Sequence, residues 1–326
     1  MEGRVARWFE LRSRVWYEVA AELRAVEHGK HAAPATVREL VRSYPEIARD
    51  LAIARREAPD GALTRHLEQI YLELHRVIFR SPGNWWRDTK FLFLHGAAIE
   101  SMRIRWHMIW VTALFCLSAA AGWLLVARYP ELATLFASEG MVETVMSGQL
   151  WTDDLHNVLP SSVLSVQLFT NNVMVSLFAV CLGIFFGLGT FYIISLNGMM
   201  LGSIFAFTHQ YGLGMRLFEW VAAHGFVELS VICVAGAVGA SFGEALARPG
   251  HLTRLASFQQ AVRRGLKLMV VALVFLIGAG FVEGFVSPNP NINLAGRLAV
   301  GLGYWVLFVL VMSGGLGRLL NIFRRR

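Results

Sequence analysis

Apolar positions recur three and four residues apart in three early stretches: 7–28 (RWFELRSRVWYEVAAELRAVEH), 36–57 (TVRELVRSYPEIARDLAIARRE) and 62–80 (ALTRHLEQIYLELHRVIFR). That period places them on one helix face, so each stretch predicts an amphipathic helix. The joints HGKHAAPA and APDG are rich in helix breakers. Three such helices hide their stripes by packing together, which predicts a small bundle with a solvated Arg/Glu face. SPGNWW at 81–86 closes the bundle. A further helix, about 84–104, carries Trp85, Trp86, Arg103 and Arg105 up to the next element. Paired Trp and Arg ahead of an apolar run mark a membrane interface.

From residue 106 onward the alternation gives way to long apolar runs. The first, at 107–127 (HMIWVTALFCLSAAAGWLLVA), is long enough to cross roughly 30 Å of hydrocarbon. A loop follows at 128–170, with Arg128 against Glu131, Glu139, Glu143, Asp153 and Asp154. Its apolar–polar alternation suits a helix lying on the membrane surface. The 61 positions between Asp154 and Arg216 carry no charged residue, too many for one crossing. SLNG at 195–198 is the turn signal in their middle, so Asn197 and Gly198 are expected to divide a span at 172–194 from a short one at 197–212. Further spans are expected at 220–244, 268–286 and 298–317, the last two divided by SPNPNIN. The expected fold class is all-α. It is a polytopic helical membrane domain of about six transmembrane helices over 106–326, preceded by a cytoplasmic helical bundle with an interfacial helix over 1–105.

Composition agrees with this division. The chain of 326 residues is 55% hydrophobic and 16% charged, against about 25% charged in soluble domains. Residues 1–105 hold 18 Lys/Arg and 14 Asp/Glu, leaving 12 and 9 for the rest. Beyond the bundle, the excess behind the net charge of +7 flanks apolar runs, at Arg248, Arg254, Arg263, Arg264, Lys267 and the terminal RRR. That is the positive-inside pattern, and nucleic acid is not expected as a partner. Six spans put both termini beside this basic linker. The expected location is the inner (cytoplasmic) membrane, multi-pass, with both termini cytoplasmic and the lipid bilayer as the first partner. The start, MEGRVARWFELRSR, lacks the apolar core of a secretory signal. Cys116, Cys181 and Cys233 fall in separate apolar runs and are expected as small fillers, not disulfides or a metal knot.

Pairs of glycines four apart recur at Gly183/Gly187, Gly198/Gly202, Gly239/Gly243 and Gly280/Gly284. Such pairs let helix backbones approach in lipid, which predicts a compact bundle and a homo-oligomer seam. GASFG at 239–243 has the Gly-x-Ser-x-Gly form around Ser241, but a nucleophile elbow needs a strand before it. The string lies inside an apolar span and is expected to serve helix packing, and Ser230 to bond its own helix backbone. No catalytic residue is assigned.

Depth along the spans brings six polar residues to one half of the bundle: Asn171, Asn172, His209, His224, Glu228 and Glu283. A charged group in a bilayer costs roughly 2.5–3.5 kcal/mol on insertion scales, so one that stays has a partner or a task. His224 and Glu228, four apart, share one helix face. They can fix helix register by bonding one another, line a solute or proton path, or bite a metal with Glu283 as third ligand. Neither an HExxH string nor a second histidine motif accompanies them, so no metal or cofactor is expected. Glu244 is expected to snorkel at the other end of its span.

Several stretches resemble the stage II sporulation protein M (SpoIIM) family of integral membrane proteins: NN at 171–172, GLGTFYIISLNGMMLG at 187–202, HGFVELSVICVAGAVG at 224–239 and FVEGFVSP at 281–288. SYPEIARDLAIARRE and HLEQIYLELHRVIF resemble the helical region ahead of the membrane domain in longer bacterial members. The matching positions are Asn171, Asn172, Asn197, Gly198, His224, Glu228 and Glu283. The resemblance implies a membrane protein that anchors or organises a complex, as the namesake does with peptidoglycan hydrolases during engulfment. The leading expectation is therefore a non-enzymatic scaffold for a cell-envelope complex, with cell-envelope proteins as partners. A transporter or channel using the His/Glu/Asn site is the alternative. An intramembrane metal-dependent hydrolase is the third reading.

Overall fold

A computed structural model describes residues 2–27, 34–79, 85–152 and 161–324. Every regular element among them is helical, and the chain divides into two compact units, Met1–Asp88 and Thr89–Arg326.

The first unit is built from α1 (Glu2–Glu27), α2 (Pro34–Glu57) and α3 (Ala62–Phe79). The amphipathic stripes meet as expected. Trp16, Leu23, Leu40, Ile47, Leu67 and Leu74 are buried in one apolar core. One acid lies in that core with its partners: Asp50 accepts hydrogen bonds from Trp16 Nε1 at 2.8 Å and Arg12 Nε at 2.9 Å. Removing such a partner from a buried charge typically costs about 3–5 kcal/mol, which is why the pair pins α1 to α2.

α4 (Trp85–Phe91) begins before the boundary of the units and leads through a π-helical turn at Leu92–Gly96 into α5 (Ala97–Arg103) of the second. Then come α6 (Arg105–Arg128), α7 (Glu139–Met146), α8 (Ser161–Cys181), α9 (Leu188–Gln210), α10 (Gly214–Val221), α11 (Gly225–Ala247), α12 (Arg254–Phe285), α13 (Leu294–Ser313) and α14 (Gly315–Arg324). Side chains close three helix starts. Ser138 accepts from Met141 N, Thr253 from Ala256 N and Asn293 from Gly296 N, each satisfying a backbone donor the helix cannot. Among the described residues α6, α9, α11, α12 and α13 are long and apolar enough to cross a membrane, and Phe169–Ile184 adds a shorter apolar stretch. The chain is a polytopic helical membrane protein.

The expected turn at Asn197 and Gly198 is overturned. Both lie inside the continuous helix α9, where Asn197 Nδ2 donates to Ile193 O at 2.8 Å. This back-bond satisfies the amide within the helix, so an Asn-Gly pair need not turn the chain. The break comes earlier, at Leu182–Gly187, where Phe186 and Gly187 adopt φ of 53° and 83°. The spans expected at 172–194 and 197–212 are therefore replaced by α8 and α9. Gly198 serves a different purpose: its bare Cα lies against Phe115 O and Ser118 of α6. The expected span at 220–244 also breaks, at Ala222–His224, into α10 and α11, and α12 takes the basic linker into its first turns.

α11 is the central helix. Of its apolar window 78% is buried, against 17% to 44% in the other four long helices. Its neighbours approach through small residues. A Cβ on Gly239 would overlap the Ala179 carbonyl, and one on Gly243 the backbone of Phe186 and Gly187. α6 and α9 interlock likewise: Gly202 faces the Ala119 backbone, Gly122 faces Met199, and Ser203 Oγ donates to Gly122 O at 3.3 Å. GASFG lies within α11, and Ser241 Oγ donates to Val238 O at 2.7 Å.

Gly202→Leu is expected to destabilise the membrane unit by about 3 kcal/mol, the upper range for overpacking, seen as a lower melting temperature and a lost monodisperse peak in detergent. Gly303→Leu, on α13 with open space around it, is expected to leave both unchanged.

Candidate functional site

Two helix ends and one helix flank converge on a buried polar site. His224 sits at the break between α10 and α11, at φ −129°, as the residue that caps α11. Glu228 follows one turn into α11, and Glu283 occupies the last turn of α12. Ser287 lies just past the end of α12. The α8 flank contributes Asn172, whose side chain lies beside Glu228. His224, Glu228 and Glu283 are 4%, 7% and 6% exposed, and Ser287 is fully buried.

The imidazole organises the site. Ser287 Oγ lies 2.9 Å from His224 Nδ1, which leaves Nε2 turned toward the acids. From Nε2 it is 3.5 Å to Glu283 Oε1 and 4.0 Å to Glu228 Oε2. One ligand atom from each of the three residues lies within 4.8 Å of the others. Yet Glu228 Oε1 and Glu283 Oε2 are buried without a hydrogen-bond partner. A buried acceptor left unmatched costs about 1–3 kcal/mol, and more when charged. Among the described residues, the ion-pair partner shown for each of these two carboxyl groups is His224 rather than a Lys or Arg. The arrangement can hold a cation, hold a proton between acids, or receive a polar ligand.

Other buried acids of this chain are matched. Glu100 accepts from Arg103 at 3.1 Å and Lys267 at 3.0 Å. Glu244, expected to snorkel, is exposed near the end of α11 and pairs with His107 at 2.9 Å. These groups surround a second cavity, of about 220 Å³, at the opposite end of α11.

A cavity of about 560 Å³ adjoins the His224 site, with Ser287 in its wall beside Arg216, Glu219, Trp220 and Arg297. Arg297 donates through Nη2 to Asn289 O at 3.2 Å, while its Nε is buried without a partner. Ser287 therefore touches the histidine on one side and the cavity on the other.

Of the six residues expected at one depth, the structure brings together His224, Glu228, Glu283 and Asn172. Asn171 is exposed. His209 is exposed near the end of α9, its ring 5.6 Å from that of Trp123. Sequence reasoning passed over Ser287, although FVEGFVSP contains it. Its spacing of four from Glu283, just before a proline, was the available signal. Ser230 Oγ bonds Phe226 O at 2.7 Å and also accepts from Trp305 Nε1 at 3.0 Å.

Comparison with known proteins gives two family matches. Residues 111–288, which contain the whole site, match the model of the family described as Stage II sporulation protein M (SpoIIM). Residues 6–80 match one described as a domain of unknown function (DUF8413). No curated protein and no solved structure matches the chain.

Ser287→Ala strips His224 Nδ1 of its partner and is expected to cost about 1–3 kcal/mol, read as a lower melting temperature. His209→Ala is expected to change the melt by less than about 0.5 kcal/mol, as for surface positions generally.

Proposed function

This chain belongs to the SpoIIM family, and we propose that it is a cytoplasmic-membrane protein that binds a small polar or ionic solute for transport. The site would be His224, Glu228 and Glu283, reached from the side opposite the cytoplasm. The observation that carries this reading is the pair of unpartnered oxygens on buried carboxylates. A cluster serving only as helix glue would bind its own acceptors, as Asp50 and Glu100 do. Intramembrane carboxylates that stay unmatched mark substrate and ion routes.

The orientation follows from charge. Arg103, Arg105, Arg248, Arg254 and Arg264 gather at the ends of α5, α6, α11 and α12, and Glu131, Glu139 and Glu143 at the other. The positive-inside rule makes the basic end cytoplasmic. Both termini then face the cytoplasm, and the His224 site lies in the outer half.

A second reading, a scaffold for a cell-envelope complex, is favoured by the first unit, which has a core of its own and so can act as a docking module. In that reading removal of residues 2–79 releases a co-purifying partner while the membrane unit still folds. Exposed apolar residues of α13, Leu302, Val306 and Val309, suit lipid or a second copy.

Glu228→Gln separates the readings. In chelator-treated detergent samples the amide keeps the shape and removes an acid from a buried place, so the variant is expected to melt at or above wild type. A melt lower by several degrees would make the carboxylate structural glue. In a cysteine-free background, an impermeant maleimide is expected to label Asn291→Cys in intact cells and His251→Cys only after permeabilisation. The reverse pattern would invert the orientation.

A further inference from the structure

We infer that His224 Nε2, Glu228 and Glu283 together bind one divalent first-row transition-metal ion of the zinc class. The inference rests on reading the cluster as a ligand site. Three independent features point to such an ion. Charge is the first: binding deprotonates ligand carboxyl groups, and two carboxylates with a neutral imidazole then sum to −2, which one divalent ion cancels. The second is the donor set. One imidazole nitrogen with carboxylate oxygens suits zinc, manganese or iron, whereas magnesium prefers oxygen and water alone.

Geometry is the third. Ligands held at roughly 2.0–2.2 Å in a tetrahedron lie about 3.4 Å from one another. The separations of 3.5 Å and 4.0 Å from Nε2 to the two carboxylates close to that value with small side-chain rotations. Both acids are more than nine-tenths buried; Glu228 Oε2 and Glu283 Oε1 face Nε2, and the second oxygen of each is buried without a hydrogen-bond partner. Ser287 fills the remaining role. Lying 2.9 Å from Nδ1, its hydroxyl would accept the Nδ1 proton in the metal-bound form and so hold the tautomer whose Nε2 lone pair faces the acids, as outer partners of metal-bound histidines do.

Three protein ligands leave a fourth position, the arrangement of sites that bind a further ligand on the metal. Water or a small anion would complete the ion at that position.

The test uses the full chain in detergent, stripped by a chelator. Titration with zinc by calorimetry is expected to show one site per chain. Zinc is expected to raise the melting temperature, and magnesium to do neither. Cobalt substitution is expected to give the visible spectrum of a low-coordinate nitrogen/oxygen site, which needs no variant. Glu283→Gln and His224→Ala are expected to weaken zinc at least tenfold. Equal zinc affinity in wild type and His224→Ala would overturn the inference, as would a wild type that takes up no zinc. If zinc fails while chelated Glu228→Gln melts at or above wild type, the metal falls and the solute site stands. If Glu228→Gln also unfolds, both fall.

Discussion

A helix enclosed by other helices in lipid has to be thin, and α11 sets that constraint for the whole membrane unit. Lipid offers little hydrophobic drive for helices to associate, so they stay together through close backbone approach and matched polar groups. The run VICVAGAVGASFG meets the first need. Gly239 and Gly243 admit the backbone of α8 and the bend at Phe186 and Gly187. Its two ends meet the second, with Glu244 on His107 at one and His224 on Ser287 at the other. Because α11 is thin along its length and polar at its ends, the flanking helices α8 and α12 deliver Asn172 and Glu283 to the same depth as Glu228.

The chain handles buried acids in two different ways. Asp50 in the first unit and Glu100 in the second lie beside cations or N–H donors, so burial there is compensated and the acids tie elements together. Glu228 and Glu283 face an imidazole already held by Ser287, and each keeps an oxygen without a partner. A membrane interior penalises buried polar atoms left unmatched in this way. A bound ion or polar ligand would resolve that mismatch.

Much of the fold was legible because periodicity and charge are local properties. The three amphipathic stretches became α1, α2 and α3, and the long apolar runs became the spanning helices. The Asn197–Gly198 turn misled because turn propensity is weak against a helix whose amide can bond back to Ile193 and whose glycine is needed for contact with α6. The true bend at Phe186–Gly187 carries no polar turn residue, so hydropathy alone passes over it. Depth counting found His224, Glu228, Glu283 and Asn172, since height along a span is fixed by the chain. It could not give azimuth, which is why it also gathered Asn171 and His209 and passed over Ser287, a residue outside any helix whose role depends on the fold bringing two segments together.

On this reading, the acids at this site are completed by something the polypeptide does not supply. The most direct measurement is an experimental density map of the full chain prepared in zinc-containing buffer, with anomalous scattering collected at the zinc edge. The account predicts a single anomalous peak about 2.0–2.2 Å from His224 Nε2 and from one oxygen each of Glu228 and Glu283. A map in which both carboxylates are satisfied by protein side chains, with no peak between them, would contradict it.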